Sequence, residues 1–318
     1  MPLLNSGYLA NWYKISLPYY DANGNITGNT YEVITENYTE SKVQEAQNKA
    51  LIQGDIGVHI MDVGTLYYTA SITSPVLINY TTEFHDIFDT IVYYTNIQRQ
   101  PLNGTYGSTY LLKSARIEVT TDAVKATGNF EGDTAVASAY PNYNNQQVDL
   151  LARTARFYDS YFYFGKITAS AQFPVISGEI NLNFDIDKNF FLGQMWRYSN
   201  DGQIVPSQTP FFSLRSYSAT GNIKIGLSPA QYVELTALYA EQLPGKLVKN
   251  VGNIGVYIAS YNGADFAPKI LNLGTAFVIT KIEFSMQQSS IITATLEFNA
   301  FFNNAIGNLQ SFDPEPYV

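Results

Sequence analysis

The sequence predicts an all-β protein with few helices, built from two similar halves. Most of its 318 residues alternate between apolar and polar types with a period of two, and Gly, Asn, Pro and Asp interrupt the alternation. This pattern is typical of strands separated by turns. The chain also has 25 Tyr, a residue that favours strands.

Five segments give the clearest signals for strands or hairpins, because their alternation continues over eight residues or more. They are 30–37 (TYEVITEN), 55–62 (DIGVHIMD), 116–132 (RIEVTTDAVKATGNFEG), 177–187 (SGEINLNFDID) and 281–300 (KIEFSMQQSSIITATLEFNA).

Three segments have helical spacing instead. The first, 40–51 (ESKVQEAQNKAL), is polar and is predicted to be an exposed helix in a loop. The second carries its apolar residues at i, i+3, i+4, i+7 and i+8, which places them in one stripe on a helix. These residues are Phe84, Ile87, Phe88, Ile91 and Val92.

The third helical segment is 227–243 (LSPAQYVELTALYAEQL), which carries both a start and a stop signal. Ser228 is the predicted N-cap, Pro229 takes the first helical position, and Gln231 completes a capping box. Pro244 and the glycine after it are expected to end the helix.

Short matches between the halves indicate an internal repeat in which a strand, a capped helix and a closing strand pair follow in the same order. From these matches we predict one domain over 1–141 and a second over 142–318, which meet near the loose segment AYPNYNNQQ. The matched segments are 68–71 with 217–220, 116–119 with 281–284, and 125–132 with 293–300, at offsets of 149, 165 and 168.

Composition excludes several classes of function. The formal net charge is −9 and charged residues make up only 14 %, which argues against a broad nucleic-acid-coating surface and predicts no sequence-specific nucleic-acid binding. The chain has no Cys, so it offers no disulfide and no thiolate. No apolar run approaches the ~20 residues that span a bilayer, and the N-terminal residues lack the features of a signal peptide.

No catalytic signature is present, and we predict that the protein is not an enzyme. Its two histidines, His59 and His85, are isolated in the sequence and are expected to be structural. The carboxylates are few and scattered, and none of the spacings typical of metalloproteases, phosphate-binding loops or esterases occurs.

One loop offers weak ligands for a cation. Asp21, Asn23, Asn25 and Glu32 fall at positions 1, 3, 5 and 12 of a calcium-loop pattern. Ile26 occupies position 6, where that pattern needs glycine, and strand-like segments flank the loop. A polar hairpin loop explains the same residues better. We therefore predict no cofactor, and a structural Ca²⁺ is the alternative.

The order of elements in each half resembles that of the double jelly-roll major capsid proteins of icosahedral viruses, including bacteriophages. The resemblance rests on INYTTEFHDIFDTIVYY with 116–132 in the first half, and on IGLSPAQYVELTALYAE with 281–302 in the second. It implies two tandem eight-stranded jelly-roll barrels, each with one helix inserted before the last strands.

This resemblance implies a function in the virion. The protein would form a homotrimer, trimers would tile into a capsid lattice, and other virion proteins would be partners. A viral membrane beneath the shell stays open as a further partner. The subunits would be made in the host cytoplasm and would work in the capsid.

Two alternatives stay open. The closing hairpins, 116–132 and 281–302, also look like the last hairpins of phage tail-tube proteins, whose domains can be duplicated in one chain and stack as rings with an acidic lumen. A carbohydrate-binding or adhesin-like β protein is the alternative from another class. Its stacking platforms would be Trp12, Trp196, Tyr67, Tyr68, Tyr93, Tyr94, Tyr161 and Tyr163.

Overall fold

A computed structural model describes a large part of the chain, and all structural statements concern that part. The described residues are 13–20, 26–49, 60–78, 86–99, 105–106, 110–132, 153–164, 172–189, 196–198, 204–206, 211–240, 253–258, 268–286 and 291–302.

Strands dominate the described residues, which confirms the all-β prediction. The strands are β1 (Tyr13–Tyr20), β2 (Ile26–Thr35), β3 (Asn37–Lys49), β4 (Ile60–Pro75), β5 (Leu77–Ile78), β6 (Thr105–Tyr106), β7 (Tyr110–Val119), β8 (Val124–Gly132), β9 (Arg153–Thr154), β10 (Ser160–Phe164), β11 (Gln172–Asn189), β12 (Trp196–Tyr198), β13 (Ile204–Pro206), β14 (Phe211–Leu227), β15 (Ile254–Ile258), β16 (Lys269–Gly274), β17 (Ala276–Ser285) and β18 (Ile292–Phe301).

Two α-helices occur in the described segments, and each follows a long strand of the main sheet. Helix α1 spans Ile87–Arg99 and helix α2 spans Pro229–Ala240, close to the second and third predicted helices. The predicted stop at residues 244–245 lies outside the described residues. Neither helix has the length and apolarity needed to cross a bilayer.

The first predicted helix, at 40–51, is wrong, because residues 37–49 form β3. This strand pairs antiparallel with β4 from Asn37 opposite Thr73 to Lys49 opposite Ile60. The segment is polar and has a helical spacing of its few apolar residues, but a helix would leave β4 without this partner. The ladder of hydrogen bonds with β4 therefore overrides the local helix propensity.

The main sheet contains eight strands in the order β3-β4-β8-β7-β11-β14-β18-β17, and the pairs along this order are antiparallel. A branch of three strands, β10-β15-β16, joins the sheet at the first residues of β11. The short strand β6 pairs antiparallel with the first residues of β14. Three small two-stranded sheets, β1-β2, β5-β9 and β12-β13, complete the pairing.

The eight-stranded order contains the same unit twice. We call β3, β4, α1, β7 and β8 the first module, and β11, β14, α2, β17 and β18 the second module. In chain order each module has two strands, a helix and two more strands. In space the order is β3-β4-β8-β7 in the first module and β11-β14-β18-β17 in the second. The two modules therefore lie side by side in one sheet and have the same orientation.

The closing hairpins of the two modules agree in register as well as in order. A bulge interrupts β7 between Leu112 and Ser114, and another interrupts β17 between Ile279 and Lys281. Phe130 lies opposite Leu112 and Phe298 opposite Ile279, and these two phenylalanines are the 168-residue match found in the sequence. Bulges at one equivalent position of both modules are independent support for the repeat.

The hairpins β3–β4 and β11–β14 also agree in register. In the first module the register shifts between Gln44, opposite Leu66, and Ala46, opposite Val63. The second module has the corresponding shift from Phe184, opposite Tyr217, to Ile186, opposite Leu214. Residues of β3 thus correspond to residues 140 positions later in β11, and those of β4 to residues 151 positions later in β14.

The core of the second module lies between the main sheet and the branch β10-β15-β16. Phe162 of β10 contacts Phe298 of β18, with ring centroids 5.0 Å apart, and Phe164 contacts Phe277 of β17 at 5.3 Å. These side chains are fully or almost fully buried. In the first module, α1 packs on the apolar face of β4, β7 and β8, where Ile87, Phe88 and Ile91 are fully buried as predicted.

Candidate assembly interface

One face of the main sheet is polar across both modules. Because strand residues point alternately to the two faces, each strand buries one set of residues and presents the other to solvent. The presented set is rich in Ser, Thr and Asn, and its members lie opposite one another in the ladders. They include Ser71, Thr73, Ser114, Thr127, Asn129, Asn181, Asn183, Ser218, Thr220, Asn222, Thr295 and Asn299.

Ion pairs between neighbouring strands neutralise many charges on this polar face. Arg116 of β7 lies 2.7 Å from Glu179 of β11, across the boundary between the modules. Further pairs between neighbouring strands are Lys113–Glu131, Arg215–Asp187 and Lys281–Glu297. Lys281 also pairs with Glu283 on its own strand, and Lys125 pairs with Glu36, which directly precedes β3. Glu131 is buried, but the side chains of the other pairs are at least partly exposed, so each of those pairs contributes about 0–1 kcal/mol.

The boundary between the modules is a strand ladder with a buried apolar side. Strand β7 pairs with β11 from Val119 opposite Gly178 to Ser114 opposite Asn183. On the apolar face, Ile117 lies opposite Ile180 and both are buried. At this boundary, the outer strand of the first module, β7, pairs with the first strand of the second module, β11.

The edge strands at the two ends of the eight-stranded order, β3 and β17, correspond to the two strands that pair at this boundary. Strand β17 corresponds to β7, and β3 corresponds to β11. Among the described strands, β17 pairs only with β18 and β3 pairs only with β4. Many residues along these edge strands are exposed, including Asn37, Thr39 and Ser41 on β3, and Lys281, Glu283 and Ser285 on β17.

A buried cluster of charged groups links the first module to the branch β10-β15-β16. Lys269 of β16 donates to Asp86 at 2.5 Å and to Asp89 at 2.8 Å. Asp86 is fully buried and caps α1, because its carboxylate accepts the backbone N–H groups of Asp89 and of Leu77. Burial raises the pKa of Asp86 to about 6, the neighbouring Asp89 adds to the rise, and Lys269 opposes it.

The predicted cation site is only partly covered by the structure. Asp21, Asn23 and Asn25 lie outside the described residues, and Glu32 lies on β2 opposite Ser16. Within the described segments, no group of three or more His, Cys, Asp or Glu side chains is arranged to hold a metal ion. Both histidines also lie outside these segments.

The tyrosines proposed as glycan platforms do not form one exposed surface. Tyr94 is only 1 % exposed and packs edge-on against Phe130 in the core of the first module. Tyr161 packs edge-on against Tyr257 of the neighbouring strand. The first of these two contacts takes Tyr94 out of any ligand-stacking role.

Comparison with models of protein families gave no match, and comparison with curated protein sequences found no relative. The class of the molecule therefore rests on its fold: an all-β protein whose two modules continue one sheet. Its most distinctive surface is the pair of edge strands, β3 and β17, at the two ends of that sheet.

Sequence reasoning did not identify the ladder between the modules or the contact between α1 and β16. Two of the three sequence offsets, 149 and 165, each differ by two residues from the offsets of 151 and 167 that the ladders give. An offset that is wrong by two keeps every side chain on its face, so alternation could not reveal the error. The Asp86–Lys269 contact joins residues 183 positions apart, and no local pattern signals it.

Proposed function

We propose that this chain is a ring-forming structural protein of the type represented by duplicated phage tail-tube proteins. The observation that carries the proposal is the boundary between β7 and β11, where a module is already joined to a second module of the same orientation. Repetition of this contact between copies joins β17 of one copy to β3 of the next. Head-to-tail contacts of this kind generate closed rings when the rotation closes.

The internal boundary also gives the register expected between copies. Arg116 lies opposite Asn181 within the chain. The counterpart of Arg116 on β17 is Glu283, and the counterpart of Asn181 on β3 is Ser41. Glu283 of one copy is therefore expected opposite Ser41 of the next, with both side chains on the polar face.

A closed ring removes the exposed edges that would otherwise promote uncontrolled association. It also places the polar face on the inside, because α1 and the branch strands cover the other face. Barrels with many strands enclose an aqueous channel. A lining of Ser, Thr and Asn with paired charges, in a chain of net charge −9, suits passage of a polyanion without adhesion.

On this proposal the protein is a non-enzymatic part of a bacteriophage virion that is made in the host cytoplasm. Its main partner is itself, first within a ring and then between stacked rings. Other virion proteins are expected at the two ends of the tube. The proposal requires no cofactor and no sequence-specific contact with nucleic acid.

The double jelly-roll capsid protein is the second candidate. It is favoured by the helix that each module carries, in chain order, between its first strand pair and its closing strand pair. The strand order favours the tube instead. In a Greek key the fourth strand lies beside the first, whereas β8 lies between β4 and β7, and β18 between β14 and β17.

The first experiment measures the mass of the purified protein by light scattering and its shape by negative-stain electron microscopy. Rings or hollow tubes support the tail-tube proposal. Compact trimers with a hexagonal outline would overturn it in favour of the capsid. A monomer that never assembles would contradict both, and binding to a glycan array would then become the test of a carbohydrate-binding protein.

Disulfide crosslinking tests the register directly. Because the chain has no native Cys, only the introduced cysteines can form a disulfide. In the double variant Ser41→Cys with Glu283→Cys, oxidation is expected to produce a ladder of covalent oligomers that ends at the number of copies in one ring. The matched control pairs Ser41→Cys with Ser218→Cys, which lies on the same polar face but on the central strand β14. Equal crosslinking of the control would contradict the proposed contact.

A further inference from the structure

The apolar face of the main sheet carries two charged residues on its edge strand β3. Because successive strand residues point to opposite faces, Glu40 and Lys42 lie on the same face as the apolar residues of the neighbouring strand β4. Glu40 lies opposite Ala70, which is buried, and Lys42 lies opposite Tyr68, which packs against the core. Two charges therefore lie beside the core at an edge of the sheet.

The carboxylate of Glu40 stays close to the apolar face. Glu40 is partly buried, although β4 is the one strand that pairs with β3 among the described strands. Burial raises the pKa of the Tyr38 hydroxyl, and the nearby Glu40 carboxylate adds to the rise. Tyr38 itself packs against the core. A strand that paired with the outer side of β3 would therefore cover Glu40 and, two residues further, the exposed Lys42.

Strand β11, the counterpart of β3 in the second module, has apolar residues at the same two positions. With the offset of 140 residues between these strands, Glu40 corresponds to Ile180 and Lys42 to Leu182. Ile180 and Leu182 are buried at the boundary between the modules, where β11 pairs with β7. The first strand of each module thus differs at the two positions that the partner strand covers on the apolar face.

The other edge strand, β17, has no charged residue on the apolar face. Ile282 and Phe284 occupy this face and are partly buried against the core. In the register of the internal boundary, Phe284 of one copy lies opposite Glu40 of the next copy, and Ile282 lies opposite Lys42. Strand β17 therefore offers neither charge a partner of opposite sign on this face.

We propose that Glu40 and Lys42 weaken the contact between copies, so that β3 pairs with β17 of a second copy only at a high local concentration of subunits. The proposal rests on the head-to-tail assembly described above and adds the strength of its contact. Removal of charged groups from water costs free energy when no partner compensates them. Charged residues that point inward on an edge strand limit its pairing with other molecules.

The occupant of the β3 edge is a second copy of this chain because the equivalent strands already pair within the chain. Strand β11 pairs with β7, and these two strands are the counterparts of β3 and β17. The internal ladder is apolar on the covered face and is permanent. The ladder between copies carries two charges at the equivalent positions, which makes it reversible.

The variant Glu40→Ile with Lys42→Leu gives β3 the residues of β11 and tests the proposal. The protein concentration at which half of the subunits assemble should fall at least about tenfold, measured by sedimentation velocity over a dilution series. The circular-dichroism melt checks that the variant folds. A second variant, Glu40→Gln with Lys42→Met, keeps the size of both side chains and should shift assembly in the same direction.

The matched control is Thr39→Ile with Ser41→Leu, which adds the same apolar residues to β3 on the polar face. Both positions are exposed, and this face stays in contact with water when strands pair. The control should change the assembly concentration by less than about threefold. An unchanged assembly concentration in both charge-free variants, or an equal fall in the control, overturns the proposal.

Disulfide crosslinking separates this proposal from the proposed function. Ser41→Cys with Glu283→Cys is introduced both into the original chain and into the variant Glu40→Ile with Lys42→Leu, and crosslinking is measured over a dilution series. Crosslinking at least about tenfold further into dilution in the variant supports the proposal. Equal crosslinking in both overturns it and leaves head-to-tail assembly standing. No crosslinking in either, or dimers of Ser41→Cys alone, overturns the head-to-tail contact itself and the present proposal with it.

Discussion

Lys269 lies 2.5 Å from the carboxylate of Asp86, although 183 residues separate them in the sequence. Asp86 is the cap of α1 in the first module, and Lys269 begins β16 next to the second module. The Asp86 side chain is fully buried and that of Lys269 is 10 % exposed. The contact therefore fixes the helix of the first module against a strand of the branch that packs on the second module.

Removal of the lysine should be severely destabilising. In the variant Lys269→Met, the ionised Asp86 keeps only its backbone donors in a buried site. Loss of one partner from a buried ion pair costs about 3–5 kcal/mol, and urea denaturation should show a decrease of that order. Lys281→Met is the control, because its ion pair with Glu283 is exposed, and it should change stability by less than about 1 kcal/mol. Equal effects in the two variants would contradict the structural role of Lys269.

The same cluster predicts a pH dependence of stability. Burial raises the pKa of Asp86 to about 6, so the folded protein holds this proton more tightly than the unfolded chain does. The stabilisation from this group is complete below about pH 4, the usual pKa of an unfolded Asp, and is lost as the pH rises through about 6. Asp86→Asn removes the titration. The free energy of unfolding of the original protein minus that of the variant should therefore fall from pH 4 to pH 7. A constant difference would disprove the raised pKa.

Gly178 is predicted to be the least replaceable glycine at the boundary between the modules. Its φ of +154° is one that other residues rarely adopt, and a Cβ there would lie 2.6 Å from the backbone oxygen of Asn222. Backbone strain alone costs about 1–3 kcal/mol, and Gly178→Ala should lower the free energy of unfolding, measured in urea, by at least that much. Gly226→Ala is the control, because its Cβ would meet Pro174 at 3.3 Å with no unusual φ. If Gly178→Ala left stability unchanged, the backbone at this position would have to relax without cost.

Local rules predicted the parts of the fold that depend on neighbouring residues. The buried stripe of α1, the cap of α2 and the hairpins at 116–132 and 281–300 all follow from spacing within a short window. The polar segment 40–51 was predicted incorrectly, because a distant strand, β4, determines its conformation. Local helix propensity is a weak preference that such pairing overrides.

The way the two modules pair in the sheet was harder to predict from the sequence. The repeat itself was visible in short matches, yet the pairing of β7 with β11 depends on which edges meet. Edge strands carry polar residues on one face in any arrangement, so their sequence does not identify the partner strand. The exposure of Val233 and Ile291 was equally hidden, because both look like core residues in the sequence.

The cap of α2 provides a test of a feature that the sequence did predict. The Ser228 hydroxyl accepts from the Gln231 backbone, and the Gln231 side chain accepts from the Ser228 backbone. Ser228→Ala should cost about 1 kcal/mol, measured by thermal or urea unfolding. Gln231→Ala should cost more, because this side chain is buried and also donates to the backbone of Gln172 on β11. A larger loss of stability in Ser228→Ala than in Gln231→Ala would contradict a role for Gln231 in joining α2 to β11.

The boundary between the modules should be held by apolar burial and not by its ion pair. Ile180 is 2 % exposed opposite the fully buried Ile117, and loss of such a side chain costs about 2–5 kcal/mol. Ile180→Ala should therefore destabilise the protein by that amount in urea. Arg116→Ala removes the exposed pair with Glu179 and should cost less than about 1 kcal/mol. If Arg116→Ala proved the more damaging, the boundary would be electrostatic, and contact between copies would be expected to weaken in salt.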